Sequence, residues 1–131
     1  MEDLPLLPDA DEIIQIHAQQ LARFGGASGI RDRNGIESAV GRTQNLFAYS
    51  EAADAVSAAV ALCHSLVKNH AFVDGNKPAA FGALEVTLAL NGLKLVAPQP
   101  EITGLILGMA TSDTSQAQAE AWVRARTVKA G

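Results

Sequence analysis

Apolar positions in this chain recur mostly at helical spacing. Ile13, Ile14, Ile16, Leu21 and Phe24 follow roughly three- and four-residue steps, and Asp9 with Glu12 forms a capping box ahead of them. A first helix is predicted from about Ala10 to Arg23. Gly25 and Gly26 end it, because glycine accepts the left-handed conformation that closes helices, and Gly29 extends the break into a loop from Gly25 to Arg31. Asp32 caps a short second helix through Ile36, Ala39 and Val40, expected to end near Arg42. An irregular segment from Thr43 to Glu51 should follow, anchored by Leu46, Phe47 and Tyr49.

The third helix has the clearest pattern. Val56, Val60, Cys63, Val67 and His70 alternate steps of four and three, which puts them on one face and makes His70 the end of an apolar stripe. Val73, Asp74 and Gly75 interrupt, and a further helix runs from about Asn76 to Leu90 before Asn91 and Gly92 close it. Gly92 to Ala97 reads as briefly extended. Pro100 suits the first turn of a fifth helix, and Ser115 with Gln118 forms a capping box for a last helix through Ala121, Trp122 and Ala125. Thr127 to Gly131 are expected to fray. The pattern predicts an all-α protein, a compact bundle of about six helices forming one domain over residues 1–131.

Composition agrees with that class. Hydrophobic residues make up 48% and charged residues 18%, the balance of an ordinary globular chain, and the low aromatic content favours helix over strand. The net charge of −4 gives no overall attraction for nucleic-acid backbones, so no direct nucleic-acid binding is expected. Cys63 is the only cysteine, which excludes an internal disulfide and a thiolate zinc cluster and fits a reducing cytoplasm. The segment Met1 to Asp11 carries prolines and acids where an export signal would be basic and then apolar, and no run approaches membrane-spanning length. No membrane attachment is expected.

The chemically informative stretch is His70, Ala71, Phe72, Val73, Asp74, Gly75, Asn76, Lys77, which joins two helices by a short loop. Gly75 and Asn76 lead into a helix N-terminus, whose unpaired N–H groups and positive dipole end suit an anion such as phosphate. Lys77 adds a positive charge there. Asp74 offers a carboxylate to a hard cation such as Mg2+, which commonly combines one or two carboxylates with phosphate oxygens. His70 supplies an acid or a base. Taken singly these residues are unremarkable: a histidine ending an apolar stripe is more often packed than catalytic, and an Asp-Gly-Asn turn is an ordinary connection. Their combination within eight residues is what points to chemistry. By contrast His17, on one face with Ile13 and Leu21, reads as structural, Cys63 as inert core, and His64 with Lys68 as a solvated face.

The stretch resembles the signature of the Fic/Doc family, H-x-F-x-D/E-G/A-N, followed by glycine in the Fic branch and by lysine, here Lys77, in the death-on-curing branch. The likeness extends to Ile16, His17, Gly25, Gly26, Gly29, Ile30, Arg31 and Asp32, to Glu37, Ser38 and Ala39, and to Arg42, Gln44, Leu46 and Tyr49. Asn91, Gly92, Ala110 and Thr111 also fit. The resemblance implies the Fic/Doc helical fold and a toxin of a toxin–antitoxin pair. It implies that His70 deprotonates a protein hydroxyl, that Asp74 binds Mg2+, and that Gly75, Asn76, Lys77 and Lys68 hold phosphates of ATP. Members with lysine at this position phosphorylate elongation factor Tu and stop translation, whereas members with glycine transfer AMP. Lysine therefore favours a kinase, with AMP transfer as the alternative. The implied partner is an antitoxin whose disordered C-terminal segment folds against the toxin, and the implied location is the cytoplasm.

Two positions depart from the family pattern. Pro78 replaces the usual arginine and removes both a guanidinium and a backbone N–H from the anion site, while sitting early enough in its helix to be tolerated there. A lost charge-assisted phosphate contact costs roughly 1.5 to 3 kcal/mol, so weakened activity or a silent antitoxin-binding module is a further alternative. Lys68 stands where death-on-curing toxins often carry arginine, keeping the charge without the bidentate fork.

Overall fold

A computed structural model describes residues 4–131; the first three residues, part of the N-terminal segment read above as lacking an export pattern, lie outside it. Its elements are α1 (Ala10–Phe24), α2 (Arg33–Tyr49), α3 (Ala55–Asn69), α4 (Asn76–Leu90), β1 (Leu93–Leu95), α5 (Gln99–Thr111), α6 (Gln116–Arg126) and β2 (Thr127–Lys129). The all-α expectation holds, with one small sheet added.

The bundle is built around α3. From Val56 to Val67 every residue except His64 is buried, as befits a helix that is apolar on all sides. Small side chains at Ala58, Ala59 and Ala61 let α2, α4, α5 and α6 close in around it, and α1 lies across α4 and α2. Cys63 is fully buried in this core, and burial pushes its thiol up to about 12, so it is inert at neutral pH. Asp54 starts α3: its carboxylate accepts from the Ser57 amide, the Ser57 hydroxyl answers to the Asp54 amide, and Arg124 of α6 clamps the same carboxylate at 2.7 and 3.0 Å. The boxes predicted at Asp9/Glu12 and Ser115/Gln118 are both formed.

Three expectations about local structure are corrected. The second helix does not end near Arg42 but continues to Tyr49. No glycine or proline interrupts residues 42–49, Thr43 is buried with its hydroxyl donating to the Ala39 carbonyl, and Leu46 accepts the closing bond from Ser50. Thr127 to Lys129 do not fray: they pair antiparallel with β1, Leu93 opposite Lys129 and Leu95 opposite Thr127. His70 does not complete the stripe of α3. The helix ends at Asn69, and His70 caps it in the left-handed region at φ 48°, which swings its side chain out to solvent.

Among the described residues no helix is long and apolar enough to cross a membrane. Leu6 and Ala130 are secured at one turn: the Asn91 carboxamide accepts from Leu6 N–H and donates to Leu6 C=O, and Ala130 N–H donates to Gly92 C=O.

Candidate active site

The site is made by two loops that are distant in sequence and paired in space. Residues 25–32 join α1 to α2, and residues 70–75 join α3 to α4. They meet in an antiparallel bridge between Ile30 and Phe72, with Val73 N–H donating to Gly29 C=O and both Arg31 and Asp32 N–H donating to Ala71 C=O. Asn69 adds a side-chain tie, donating to the Gly35 carbonyl at the start of α2. Loop backbone that would otherwise need water for its polar groups is satisfied instead by the facing loop.

Asp74 is the second link between the loops. Its Oδ2 accepts from Ala27 N–H at 3.2 Å and its Oδ1 from Gly75 N–H at 2.8 Å. These two amides, Ala27 first, hold its carboxyl below the usual carboxylate range, so Asp74 is ionised at neutral pH. Gly26 makes the approach possible: a Cβ there would stand 2.9 Å from Asp74 Oδ2. Gly75 makes the turn into α4 possible, at φ 74°.

Gly75 caps α4 without a side chain, which leaves the Asn76 and Lys77 amides of the first turn without a side-chain partner. Proline at position 78 falls inside that same first turn, where its missing N–H disturbs no helical bond. Free first-turn amides, the α4 dipole and the exposed Lys77 give this helix end a positive character that suits an anion.

The structure therefore gathers Asp74, Gly75, Asn76 and Lys77 at the start of α4, with His70 exposed at the end of α3, at the other end of the same short loop. Two residues stand differently from their sequence reading. The Asn76 carboxamide is spent on the loop itself, accepting from Phe72 N–H at 3.0 Å and donating to Phe72 C=O at 2.9 Å, so its free group is its backbone amide. The Lys68 ammonium donates to the Ser112 hydroxyl in the turn between α5 and α6. His64, one turn before Lys68, is half-buried, and burial, then Lys68 and Arg42, push its pKa down.

His17 is the member that sequence reasoning left in the core. It is buried on α1, its ring lies flat on Phe72 at 3.8 Å between centroids and 6° between planes, and its Nε2 is 2.7 Å from the Asp74 carbonyl oxygen. The available signal was its place in the N-terminal pattern, which says nothing about a contact 57 residues away.

Asp74 suits Mg2+ only in company. Each of its oxygens keeps a lone pair, but no group of three metal-binding side chains exists among the described residues, so Asp74 by itself is not a complete cation site. Beside Lys77 and Pro78 an apolar groove of about 330 Å³ runs between α4 and α5, walled by Phe24, Phe81, Ile102 and Ile106.

Comparison with known proteins agrees with this geometry. The model of the Fic/DOC family matches residues 7–88, which includes both loops. The chain is 31% identical over 105 residues to the protein kinase doc of Escherichia phage P1, covering 80% of this chain and 82% of that one. It is 41% identical over 78 residues to the toxin Doc of Mycolicibacterium smegmatis, covering 56% of this chain and 58% of that one. On the extent of both the family match and the phage relative, the chain belongs to the Fic/Doc family.

Proposed function

We propose that this protein is an ATP-dependent protein kinase that acts as the toxin of a toxin–antitoxin pair. The observation that carries the reading is the start of α4, where two uncapped amides and the exposed Lys77 follow the amide-held Asp74 carboxylate, on one loop with an exposed His70. The names of the two relatives, a protein kinase and a toxin, support the same reading.

In this reading the amides of Asn76 and Lys77, with the Lys77 ammonium, hold the γ-phosphate of ATP, and Asp74 holds Mg2+ jointly with the nucleotide. Mg2+ supplies neutralisation of charge on the phosphate oxygens. A target hydroxyl oxygen attacks the γ-phosphorus, the bond to the bridging oxygen of ADP breaks, and the hydroxyl proton passes to the His70 imidazole. His70 suits a base because its ring is exposed at a helix end instead of packed in the core. Lys68 enters only as a charge on α3, since Ser112 engages its ammonium. Elongation factor Tu is the target the resemblance implies, and the cytoplasm is the location proposed with it. The antitoxin is a chain whose disordered C-terminal segment folds onto this one, and the apolar groove beside Lys77 suits the apolar face of such a helix.

The test uses Mg2+, elongation factor Tu and ATP labelled at either the α or the γ phosphate. Label from the γ position is expected on the factor, and loss of it by two orders of magnitude or more in His70→Ala, about the scale of one general base. Label from the α position would make the protein an AMP transferase. The missing donors at Pro78 favour a second reading, a silent module that only binds antitoxin; no transfer of either label together with tight antitoxin binding would establish it. An antitoxin tail that neither binds nor blocks transfer would remove the partner from the proposal.

A further inference from the structure

We propose that His17 is a positioning residue for the site, holding the Asp74–Gly75 peptide so that the Asp74 carboxylate and the start of α4 face the ligand together. The inference rests on the phosphate-transfer reading for its catalytic consequence, and on geometry alone for the contact itself.

A buried side chain on the inner face of α1, in line with Ile13 and Ile16, needs only to be apolar to serve the core. His17 adds a donor. The carbonyl of Asp74 can only accept, so the ring nitrogen 2.7 Å from it must carry a hydrogen, which fixes Nε2–H as the protonated position. The ring cannot pivot away, because its face is stacked on Phe72, itself 1% exposed and pinned at both backbone groups by Asn76.

The peptide bond then transmits the constraint. It is planar and trans, so a carbonyl directed at His17 sends the Gly75 N–H in the opposite direction. That N–H is the donor to Asp74 Oδ1. Gly75 completes the fit: a Cβ on it would stand 3.4 Å from His17 Nε2 and 3.0 Å from Leu21 Cδ2, so α1 is packed against the bare Cα from which α4 begins. One imidazole thus sets the ring of Phe72, the carbonyl of Asp74 and the approach to Gly75. Without its donor the 74–75 peptide is free to rotate, and both the carboxylate and the first amides of α4 turn with it, although His17 touches no reacting atom.

Two substitutions separate donor from shape. His17→Phe keeps the stacking surface and loses the hydrogen; His17→Gln places an amide N–H near the Nε2 position and loses the stack. Two readouts are needed. The first is the NMR shifts of the Asp74 carbonyl carbon and the Gly75 amide, which should move in the Phe variant and stay close to native in the Gln variant. The second is transfer of γ label, where kcat should fall about ten- to a hundredfold in the Phe variant, be largely restored in the Gln variant, and change more than KM for the protein target. Native-like Asp74 and Gly75 signals in the folded Phe variant would overturn the contact's role, whatever the activity. Moved signals with unchanged kcat would overturn its catalytic consequence. Signals that move in the Phe variant, while the native protein transfers no label, would instead sink the kinase reading and leave the positioning role standing.

Discussion

The interior around α3 and the paired loops around Asp74 hold themselves together in opposite ways. Around α3 the contacts are apolar and the backbone bonds run within the helix, so the region depends on volume and tolerates chemistry of similar shape. Around Asp74 the two loops and α1 are joined by hydrogen bonds between groups distant in sequence, Ala27 with Asp74, Gly29 with Val73, Arg31 with Ala71 and His17 with Asp74. Such links depend on direction. Damage to the first region should therefore appear as lost stability, and damage to the second as lost activity in a protein that still folds.

Leu62→Ala should break the comparison first if it is wrong. Leu62 is fully buried in α3, and removing its side chain should lower the unfolding free energy by about 2 to 5 kcal/mol. Label transfer per folded molecule should stay native. A denaturation midpoint within error of the native one would mean that the core can collapse around the gap.

Pro78→Arg sharpens the other side. At the third position of α4 an arginine returns a guanidinium and one N–H to the phosphate site, so nucleotide affinity or kcat should rise about tenfold, the scale of one charge-assisted bond, with little change in melting temperature. Equal kinetics for the two proteins at saturating Mg2+ would show that Lys77 and the two amides suffice.

The smallest effect is expected where a polar device serves the core instead of the site. Asp54 is held down to about 2 from its ordinary 3.8, chiefly by its hydrogen bond from Arg124. Its folded-state value is depressed, so its contribution is present above pH 3.8 and is lost as the pH falls through about 2. Both side chains are about half exposed, so screening limits the contribution to about 1 kcal/mol or less. Asp54→Asn keeps a competent helix cap, and its urea midpoint should lie slightly below native at pH 6 and coincide with it near pH 2. A gap that is constant with pH would assign the loss to the cap and not to the charge.

The same contrast explains what could be read from the sequence. Features set by near neighbours were legible: the boxes at Asp9 and Ser115, the stop at Asn91 and Gly92, the stripe of α3 and the segment from His70 to Lys77 all depend on spacings of a few residues. The end of α2 was not, because Gln44 and Asn45 dilute the apolar pattern on a helix that packing continues to Tyr49. Nor was β2, whose three residues acquire their conformation only from Leu93 to Leu95. Within the site, residue types were legible and their partners were not. Asn76 looks like a ligand until Phe72 is found in both its hydrogen bonds, and His17 looks like core until Asp74 is found beside its Nε2.

The turn at Asn91 and Gly92 receives both Leu6 and Ala130, so the segments that carry these two residues are neighbours in space. Order along the chain is thereby separable from arrangement in the fold. A short linker from Ala130 to Leu6, with a cut opened in the exposed turn after α5, would give a circular permutant with every helix pairing intact. In such a permutant the two halves of the loop pair keep their separation along the chain, while β1 and β2 exchange a closure through α5 and α6 for a longer one through the linker and α1 to α4.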